Sequence, residues 1–423
     1  MTFNKTTIAI QFASILFCLI PLALLTGPFI PDLFISTIGL IFLILIVRSK
    51  EYHYLNNKFL YFFLTFYIYL IISSLFGENI YYSLSQVIFY FRFGLFALAT
   101  WYLLDKNKNL IRNFTIIFLA TFCLGLLDGI YQYINGNNLF GFEAQPLRMT
   151  LVFNDKMLLG GYLARLFPLL FGLLIYLYSE KKWVIVISSI LLILTDILVF
   201  ISGERTAIAL LFIISIFIIL FIKKLKLLRV TTLVISVSII FLITINDENV
   251  KNRMIGTTLH QMNIVHNMEN IVYFSKTHEN LFLTSWNMFL QNPITGIGPS
   301  GFRKSCLNEK YYNDKFYSCS THPHNTYFQL LSETGIIGAI FVIFLIFKIL
   351  LIAARQFRSL ISRRYSESVS DYQICLLACF LATLFPFLPS LDFFNNWINI
   401  IYFLPIGFFM HSLYKNSVNN IQY

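Results

Sequence analysis

Stretches of about twenty apolar residues recur along most of this chain, and they constrain its fold more than any other feature. A helix of that length can span the hydrocarbon core of a bilayer. Hydrophobic residues make up 57% of the 423 residues and charged residues only 12%. A soluble domain cannot bury so much apolar surface, because charged residues normally supply about a quarter of such a chain. The sequence therefore predicts an all-α polytopic membrane protein that forms one integral membrane domain over residues 1–423.

Windows of about 20 residues predict about twelve transmembrane helices. The N-terminal run lacks a small-residue cleavage site and is followed at once by another span, so a retained first helix is expected rather than a signal peptide. The spans are expected near Ile8–Leu25, Leu33–Val47, Phe59–Phe76, Leu84–Leu104, Ile111–Ile134, Leu158–Tyr178, Trp183–Ile201, Arg205–Ile222, Val230–Ile245, Asn325–Ala353, Ile374–Leu388 and Trp397–Leu413.

The basic residues predict the orientation, because cytoplasmic loops of membrane proteins are enriched in Lys and Arg. One set of alternate connections carries these residues, whereas the short turns around Gly27, Glu78 and Asp392 contain none. We therefore expect the basic set, with both termini, to be cytoplasmic. The net charge of +11 is largely this orientation signal, so the expected partner is the lipid bilayer and no nucleic acid.

Two outer segments are longer than turns, residues 135–157 and residues 246–322. Loops of such length are usually functional or disordered. The larger one contains an amphipathic piece over Ser285–Leu290 and then a Pro/Gly-rich turn region, which predicts a folded cap. Cys306 and Cys319 both lie in this loop and could form a disulfide in an oxidising compartment. No Cys or His spacing resembles a zinc site, so neither a metal nor a cofactor is predicted.

The densest polar chemistry follows the cap, over Thr321–Gly338. At about 100° per residue, His324, Gly335 and Gly338 would share one stripe of a single helix. Glycines at that spacing allow close helix approach, so the stripe is expected to face protein. A helix start at Pro323 would place His324 at a dipole end that favours neutral imidazole and attracts anions. These residues alone leave open whether His324 is structural or functional.

Arg205 opens the span after the tight outer turn Ser202–Glu204. An arginine on the outer side opposes the positive-inside trend, and the turn needs no charge for topology. A pair with Glu204 or contact with lipid headgroups is one explanation. A planar guanidinium that binds phosphate is the other.

Other ionisable residues near the outer face are candidates, because charge is costly within or beside a membrane. Arg148 in the shorter loop and Arg165 at the start of the next span could each contact substrate or form a structural ion pair. Arg253 and His278 in the large loop are further candidates for substrate binding. Arg92 in the fourth span is expected to pair with a buried polar group. No phosphate-binding loop or ATP-binding domain is visible, so an activated substrate such as a lipid-linked diphosphate sugar would have to supply the energy.

With these residues in place, the chain resembles the O-antigen ligase family of bacterial polysaccharide assembly. The family pattern is His, then Asn, Ser or Gln, nine residues, Gly, two residues, and Gly, Thr or Tyr. Here it reads His324-Asn325, nine residues, Gly335, Ile336-Ile337, Gly338. The span number, the long loop between the ninth and tenth spans, and Arg205 are similar as well.

The resemblance implies a metal-independent, inverting glycosyltransferase with the GT-C membrane fold and no cofactor. It would transfer a glycan from undecaprenyl diphosphate to a glycan or lipid A-core acceptor, at the periplasmic face of a bacterial inner membrane. His324 would be the general base and Arg205 would bind the diphosphate, with Asn325 beside the substrate. Other polysaccharide-assembly proteins would be partners.

Ligases, repeat-unit polymerases and protein O-oligosaccharyltransferases share this motif. The family often has a second Arg before the loop helix, and the corresponding place here holds His278, which favours a polymerase slightly over a ligase. From another class, a polysaccharide transporter or flippase would also be polytopic. It should show repeats and broken helices near the midplane, and the sequence shows neither.

Overall fold

The computed structural model describes residues 2–143, 149, 159–264, 271–272, 274–362 and 369–419. Within these ranges the chain is largely helical, and its only β feature is an isolated bridge between Asn137 and Glu143. The helices, in chain order, are α1 (Thr2–Cys18), α2 (Ile20–Ala23), α3 (Phe29–Ser49), α4 (Lys58–Leu75), α5 (Ile80–Val87), α6 (Phe91–Lys106), α7 (Leu110–Asn135), α8 (Leu159–Tyr178), α9 (Lys182–Ile201), α10 (Arg205–Phe221), α11 (Lys226–Asn246), α12 (Glu248–Lys251), α13 (Thr257–Gln261), α14 (Lys276–Gln291), α15 (Phe302–Ser305), α16 (Thr326–Ile361), α17 (Asp371–Leu384) and α18 (Asn396–Asn419).

Nine of the described helices are long and apolar enough to cross a membrane, with α5 and α6 taken together. A bent pair, Thr6–Cys18 and Ile20–Thr26, makes a tenth if it is one broken span. The helices α10 and α17 are apolar but shorter, and adding both reaches the expected twelve. The structure therefore confirms a polytopic α-helical membrane protein, whereas the number twelve stays a prediction.

The connections predicted to lie outside meet at one end of the bundle. The backbone amide of Glu78 donates to the carbonyl of Ile297 at 3.0 Å, and that of Ser390 donates to His324 at 2.8 Å. At the opposite end, Asp371 accepts hydrogen bonds from two backbone amides of the α10–α11 connection. These contacts agree with the grouping of connections that the basic residues predict, and which end faces the cytoplasm stays a prediction. The first end is called the site face below, and its described residues are 76–79, 202–204, 247–264, 271–272, 274–325 and 385–395.

The interior of the bundle is built around α8, which packs on α17, while α6 packs on α18. The most apolar window of α8 is 94% buried, compared with 17% for α11 and 28% for α16. Apolar side chains that remain exposed on a membrane-spanning helix face lipid, since lipid is as apolar as they are. The helices α11 and α16 therefore lie at the lipid-facing periphery.

Two arginine–carboxylate pairs of the described residues join membrane-spanning helices. Arg92 donates to Asp32 at 2.7 Å, so Arg92 has a polar partner, which is partly exposed and not buried as expected. Arg229 is fully buried and forms a two-pronged pair with Asp196, at 2.7 and 2.9 Å, while also donating to Ser215. A buried charge needs such a partner, because desolvating it alone is costly.

The single helix expected over His324–Gly338 is wrong in two respects. The helix α16 begins at Thr326 with Asn325 as its N-cap, so His324 precedes the helix. Gly335 has φ 64° and ψ −170°, which interrupts the helix. A Cβ on Gly335 would collide with the backbone of Ile294. Gly335 therefore lies at a break in α16 and leaves room for the backbone of the loop at Ile294. Helical spacing of 100° per residue does not predict such a break.

A candidate active site around His324

His324 lies where the cap, of which residues 247–264, 271–272 and 274–322 are described, leads into α16. Its φ of 57° is in the left-handed region, which is uncommon for a residue with a Cβ. The Ser390 amide bond to the His324 carbonyl holds this conformation from the α17–α18 connection. Strain of this kind at one residue persists only where the surroundings fix it. The backbone around His324 is therefore set by a segment more than sixty residues away in sequence.

Three imidazole rings gather at this point. The ring centroids of His322 and His324 are 4.1 Å apart, and those of His278 and His324 are 5.7 Å apart. The Nε2 of His322 donates to the carbonyl of Ser390 at 3.1 Å, so the proton of a neutral His322 is on Nε2. The Nε2 of His324 lies 3.3 Å from the hydroxyl of Ser320. The Nε2 of His324 thus makes only a long hydrogen bond, to a hydroxyl of the cap.

The surroundings of the cluster favour neutral imidazoles. Burial, together with the nearby His322 and His278, lowers the pKa of His324 to about 3. Burial and then Arg205 and His322 lower the pKa of His278. Burial also lowers the pKa of His322, against the opposing charge of Asp392. At neutral pH, His324 is therefore unprotonated and able to accept a proton.

Arg205, at the start of α10, is close enough to the cluster to act on the pKa of His278. Its guanidinium donates to the hydroxyl of Thr258 at 3.0 Å and to the side chain of Gln261. Both of these acceptors are neutral side chains. The structure thus brings Arg205 and His324 to the same side of the bundle, with His278 near both.

The turn that carries Arg205 is braced from two directions. The buried side chain of Arg253 donates from Nε to the carbonyl of Gly203 at 3.1 Å. The carboxylate of Glu204 accepts from the backbone amides of Gly160 and Gly161 at the start of α8, at 2.6 and 3.0 Å. The positive end of that helix stabilises the carboxylate. Arg253 therefore holds the turn that presents Arg205.

Arg165 is buried on α8 and donates to the carbonyl of Gly161 at 3.2 Å. Its Nε has no hydrogen-bond partner in the described part of the chain. Glu204 and Tyr402 are its electrostatic neighbours, so it lies beside the braced turn and deeper in the bundle. Arg148 lies outside the described residues.

Asn325, expected to contact substrate, has a structural role. Its side-chain oxygen accepts from the backbone amides of Tyr327 and Phe328, at 2.9 and 3.2 Å. Its amide nitrogen donates to the carbonyl of Pro386 at 2.8 Å. With its donors and acceptor used in this way, Asn325 starts α16 and fixes the residue that precedes it, His324.

A buried polar network lies behind the histidines. Gln329 donates to Glu333 at 3.0 Å and to Asp392 at 2.7 Å. Glu333 also accepts from the backbone amides of Ser300 and Phe302, both at 3.0 Å. Asp392 pairs with Arg303 of the cap at 2.6 Å. These bonds join the cap, α16 and the α17–α18 connection into one rigid support.

A disulfide closes a loop within the cap. Cys306 and Cys319 are joined by a disulfide, with their Cα atoms 5.0 Å apart. The bond lies directly before Ser320, whose hydroxyl contacts His324. The described residues contain no group of three or more His, Cys, Asp or Glu side chains that could hold a metal ion.

Residues 189–343 match the family model described as O-Antigen ligase. The match covers less than half of the chain, and it supports the O-antigen ligase/polymerase superfamily. The matched segment runs from α9 into α16 and so contains Arg205, the cap and His324. No curated protein matches the chain.

Sequence reasoning missed several residues of the site. Gln329 and Glu333 are four apart on an apolar helix, and two polar residues on one face of such a helix are a signal for a buried network. Asp392 lies in an outer turn free of Lys and Arg. Ser390 acts mostly through its backbone, so its side chain gives no signal.

Proposed function

We propose that this protein is a glycosyltransferase that transfers a glycan from undecaprenyl diphosphate to an acceptor hydroxyl. The reaction would take place on the site face, at the periplasmic side of a bacterial inner membrane. One observation carries the proposal: an unprotonated His324 and a cationic Arg205 lie near the same cap histidine, His278. Family membership supports a lipid-linked donor and a polysaccharide or lipid acceptor.

The chemistry divides between the two sides of the site. The neutral imidazole of His324 accepts the proton of the acceptor hydroxyl. The hydroxyl oxygen then forms a bond to the anomeric carbon, and the bond from that carbon to the phosphate oxygen breaks. The departing diphosphate takes the electron pair, and Arg205 stabilises its charge. A single displacement of this kind inverts the anomeric carbon and needs no metal ion.

The low pKa of His324 has a consequence for the order of events. An imidazole with a pKa of about 3 is a weak base. The diphosphate of a bound donor brings negative charge, which favours protonated imidazole and raises this pKa. His324 therefore becomes an effective base only after the donor has bound.

The other predicted residues contribute to the proposed reaction by binding the diphosphate, by supplying positive charge or by positioning Arg205. His278 donates one hydrogen bond to the diphosphate, since its lowered pKa leaves it neutral. Arg165 supplies positive charge from within the bundle, and Arg148 remains a candidate from the shorter loop. Arg253 acts indirectly, by holding the turn of Arg205.

The position of His278 favours repeat-unit polymerisation over ligation to lipid A-core. A neutral imidazole holds a diphosphate less firmly than a second arginine, and a polymerase must release its polyprenyl diphosphate product after every addition. Glycan analysis of a deletion strain tests this. Single repeat units on lipid A-core support the polymerase, whereas full-length glycan retained on undecaprenyl diphosphate supports a ligase. Loss of glycan from proteins alone would indicate a protein O-oligosaccharyltransferase.

The reaction itself is tested with His324→Ala and Arg205→Ala in the same strain. Both variants should reach the membrane at normal abundance and fail to restore surface glycan. His260→Ala, at an exposed histidine of the cap, is the matched control and should restore it. Normal glycan in either site variant contradicts the mechanism. Donor cleavage by purified protein in detergent distinguishes a transferase from a flippase, because detergent leaves no second compartment for transport.

A further inference from the structure

The cap helix α14 exposes an apolar face. Leu283, Trp286 and Leu290 are 43%, 41% and 58% exposed, and Ile294, just beyond the helix, is 62% exposed. Their spacing of three and four residues places the three helical residues on one side. Met288 and other residues on the opposite side are buried against the protein. The helix therefore has a second apolar face that no described part of the chain covers.

The end of this face is fixed against two membrane-spanning helices. The hydroxyl of Ser73 on α4 donates to the carbonyl of Thr295 at 2.7 Å, and that of Tyr69 donates to Ile294 at 3.0 Å. The amide of Ile336 on α16 donates to Pro293 at 2.9 Å. Since α4 continues to Leu75, these bonds place Ile294 at the level of its last turns.

The surface around Ile294 already faces lipid. On α4, Ile72 and Leu75 are exposed, and on α16 Ile336 and Ile340 are exposed. Apolar residues of a spanning helix that point away from the bundle contact acyl chains. The exposed face of α14 therefore meets the lipid-facing surface of α4 and α16 at Ile294.

The polar residues of α14 indicate how the helix is tilted. Lys276 and Glu279 lie on the same side as Leu283 and Leu290, at spacings of three, four and seven residues, and both are exposed. Charged residues avoid the acyl region. The first turns of α14 consequently lie in water, and the apolar side chains become deeper towards Ile294.

We propose that α14 is an interfacial helix, with Leu283, Trp286, Leu290 and Ile294 immersed in the lipid leaflet on the site face. A Trp on the apolar side of such a helix is typical of the headgroup region. His278 lies roughly 80° to 140° around the helix axis from these three helical residues, towards His324. Membrane attachment thus holds the first turn of α14, with His278, in water next to the lipid headgroups. The inference does not depend on the proposed reaction.

The test measures the fluorescence of Trp286 in protein reconstituted into bilayers. Subtracting the emission of Trp286→Phe from that of the wild type isolates this residue among four tryptophans. Phosphatidylcholine with brominated acyl chains should quench most of the difference signal, and aqueous acrylamide should leave most of it. A Trp at position 290, made by Leu290→Trp in the Trp286→Phe background, should emit further to the blue and be quenched more strongly.

The matched control is Lys276→Trp in the same background, on the water-exposed part of the same side. It should be quenched by acrylamide and not by brominated lipid. Quenching of Trp286 by acrylamide alone means that the face is in water, which overturns the proposal. Protection of Trp286 from both quenchers means that protein covers the face, which overturns it equally.

Discussion

The helix break at Gly335 makes a quantitative prediction for Gly335→Ala. The backbone there has φ 64° and ψ −170°, a region that is essentially restricted to glycine. Forcing a residue with a Cβ into it costs about 1–3 kcal/mol. The new methyl would also displace the backbone of Ile294.

That displacement breaks the attachment of the cap segment to α16. Three backbone bonds are at risk: Ile336 to Pro293 at 2.9 Å, Ile297 to Ser332 at 2.9 Å, and Gly298 to Glu333 at 3.0 Å. Each is worth about 1 kcal/mol. Together with the backbone strain, the expected loss is roughly 4–6 kcal/mol, a large part of the stability of an ordinary domain.

The control is Gly136→Ala at the C-terminal cap of α7. Gly136 also has positive φ, 79°, but an added Cβ there meets no atom within 4 Å. It should lose only the left-handed backbone cost, about 1–2 kcal/mol. Thermal unfolding of both purified variants in one detergent should give a much larger decrease in apparent Tm for Gly335→Ala. Equal decreases would refute the role assigned to the contact with Ile294.

Three further predictions follow from the cap and the site. Replacing Cys306 and Cys319 together by Ser should lower the free energy of unfolding by about 3 kcal/mol, since the disulfide joins residues 13 positions apart. Reductant should lower the apparent Tm of the wild type and leave that of the double variant unchanged. Because the folded pKa of His324 is about 3, below its unfolded value of about 6.5, its contribution to stability is present above pH 6.5 and is lost as pH falls towards 3. The midpoint of unfolding should therefore fall less steeply with acid in His324→Asn than in the wild type. Glycan transfer by purified protein should survive EDTA, and activity restored by Mg²⁺ or Mn²⁺ would reveal a metal site.

The sequence predicts the fold class well because each membrane span must satisfy its own backbone and must be apolar throughout. It also predicts that His324 and Arg205 belong to one face, since each lies next to an outer connection. Their proximity to His278 depends on how the cap folds, and hydropathy carries no information about that. The assignment of candidates to one side of the membrane is therefore predictable, whereas their contacts are not.

The details around His324 depend on contacts that are remote in sequence. Ser390 bonds His322 from 68 positions away, through a backbone carbonyl that any residue type would supply. Gly335 illustrates a different limit: helical spacing alone cannot distinguish a glycine that allows two helices to pack from one that ends a helix. In this chain the backbone of the loop at Ile294 packs against Gly335.

The buried pair of Arg229 and Asp196 has a consequence for biogenesis. Asp196 on α9 precedes its partner by 33 positions, so α9 leaves the ribosome before α11 and Arg229 is not yet in the membrane to pair with it. An unpaired aspartate at depth costs about 2.5–3.5 kcal/mol on insertion scales. During synthesis α9 is therefore the less stably inserted helix of this pair. Its final position depends on the insertion of α11, when Arg229 pairs with Asp196 and also donates to Ser215 on α10. We therefore expect these three helices to assemble in the membrane as one unit.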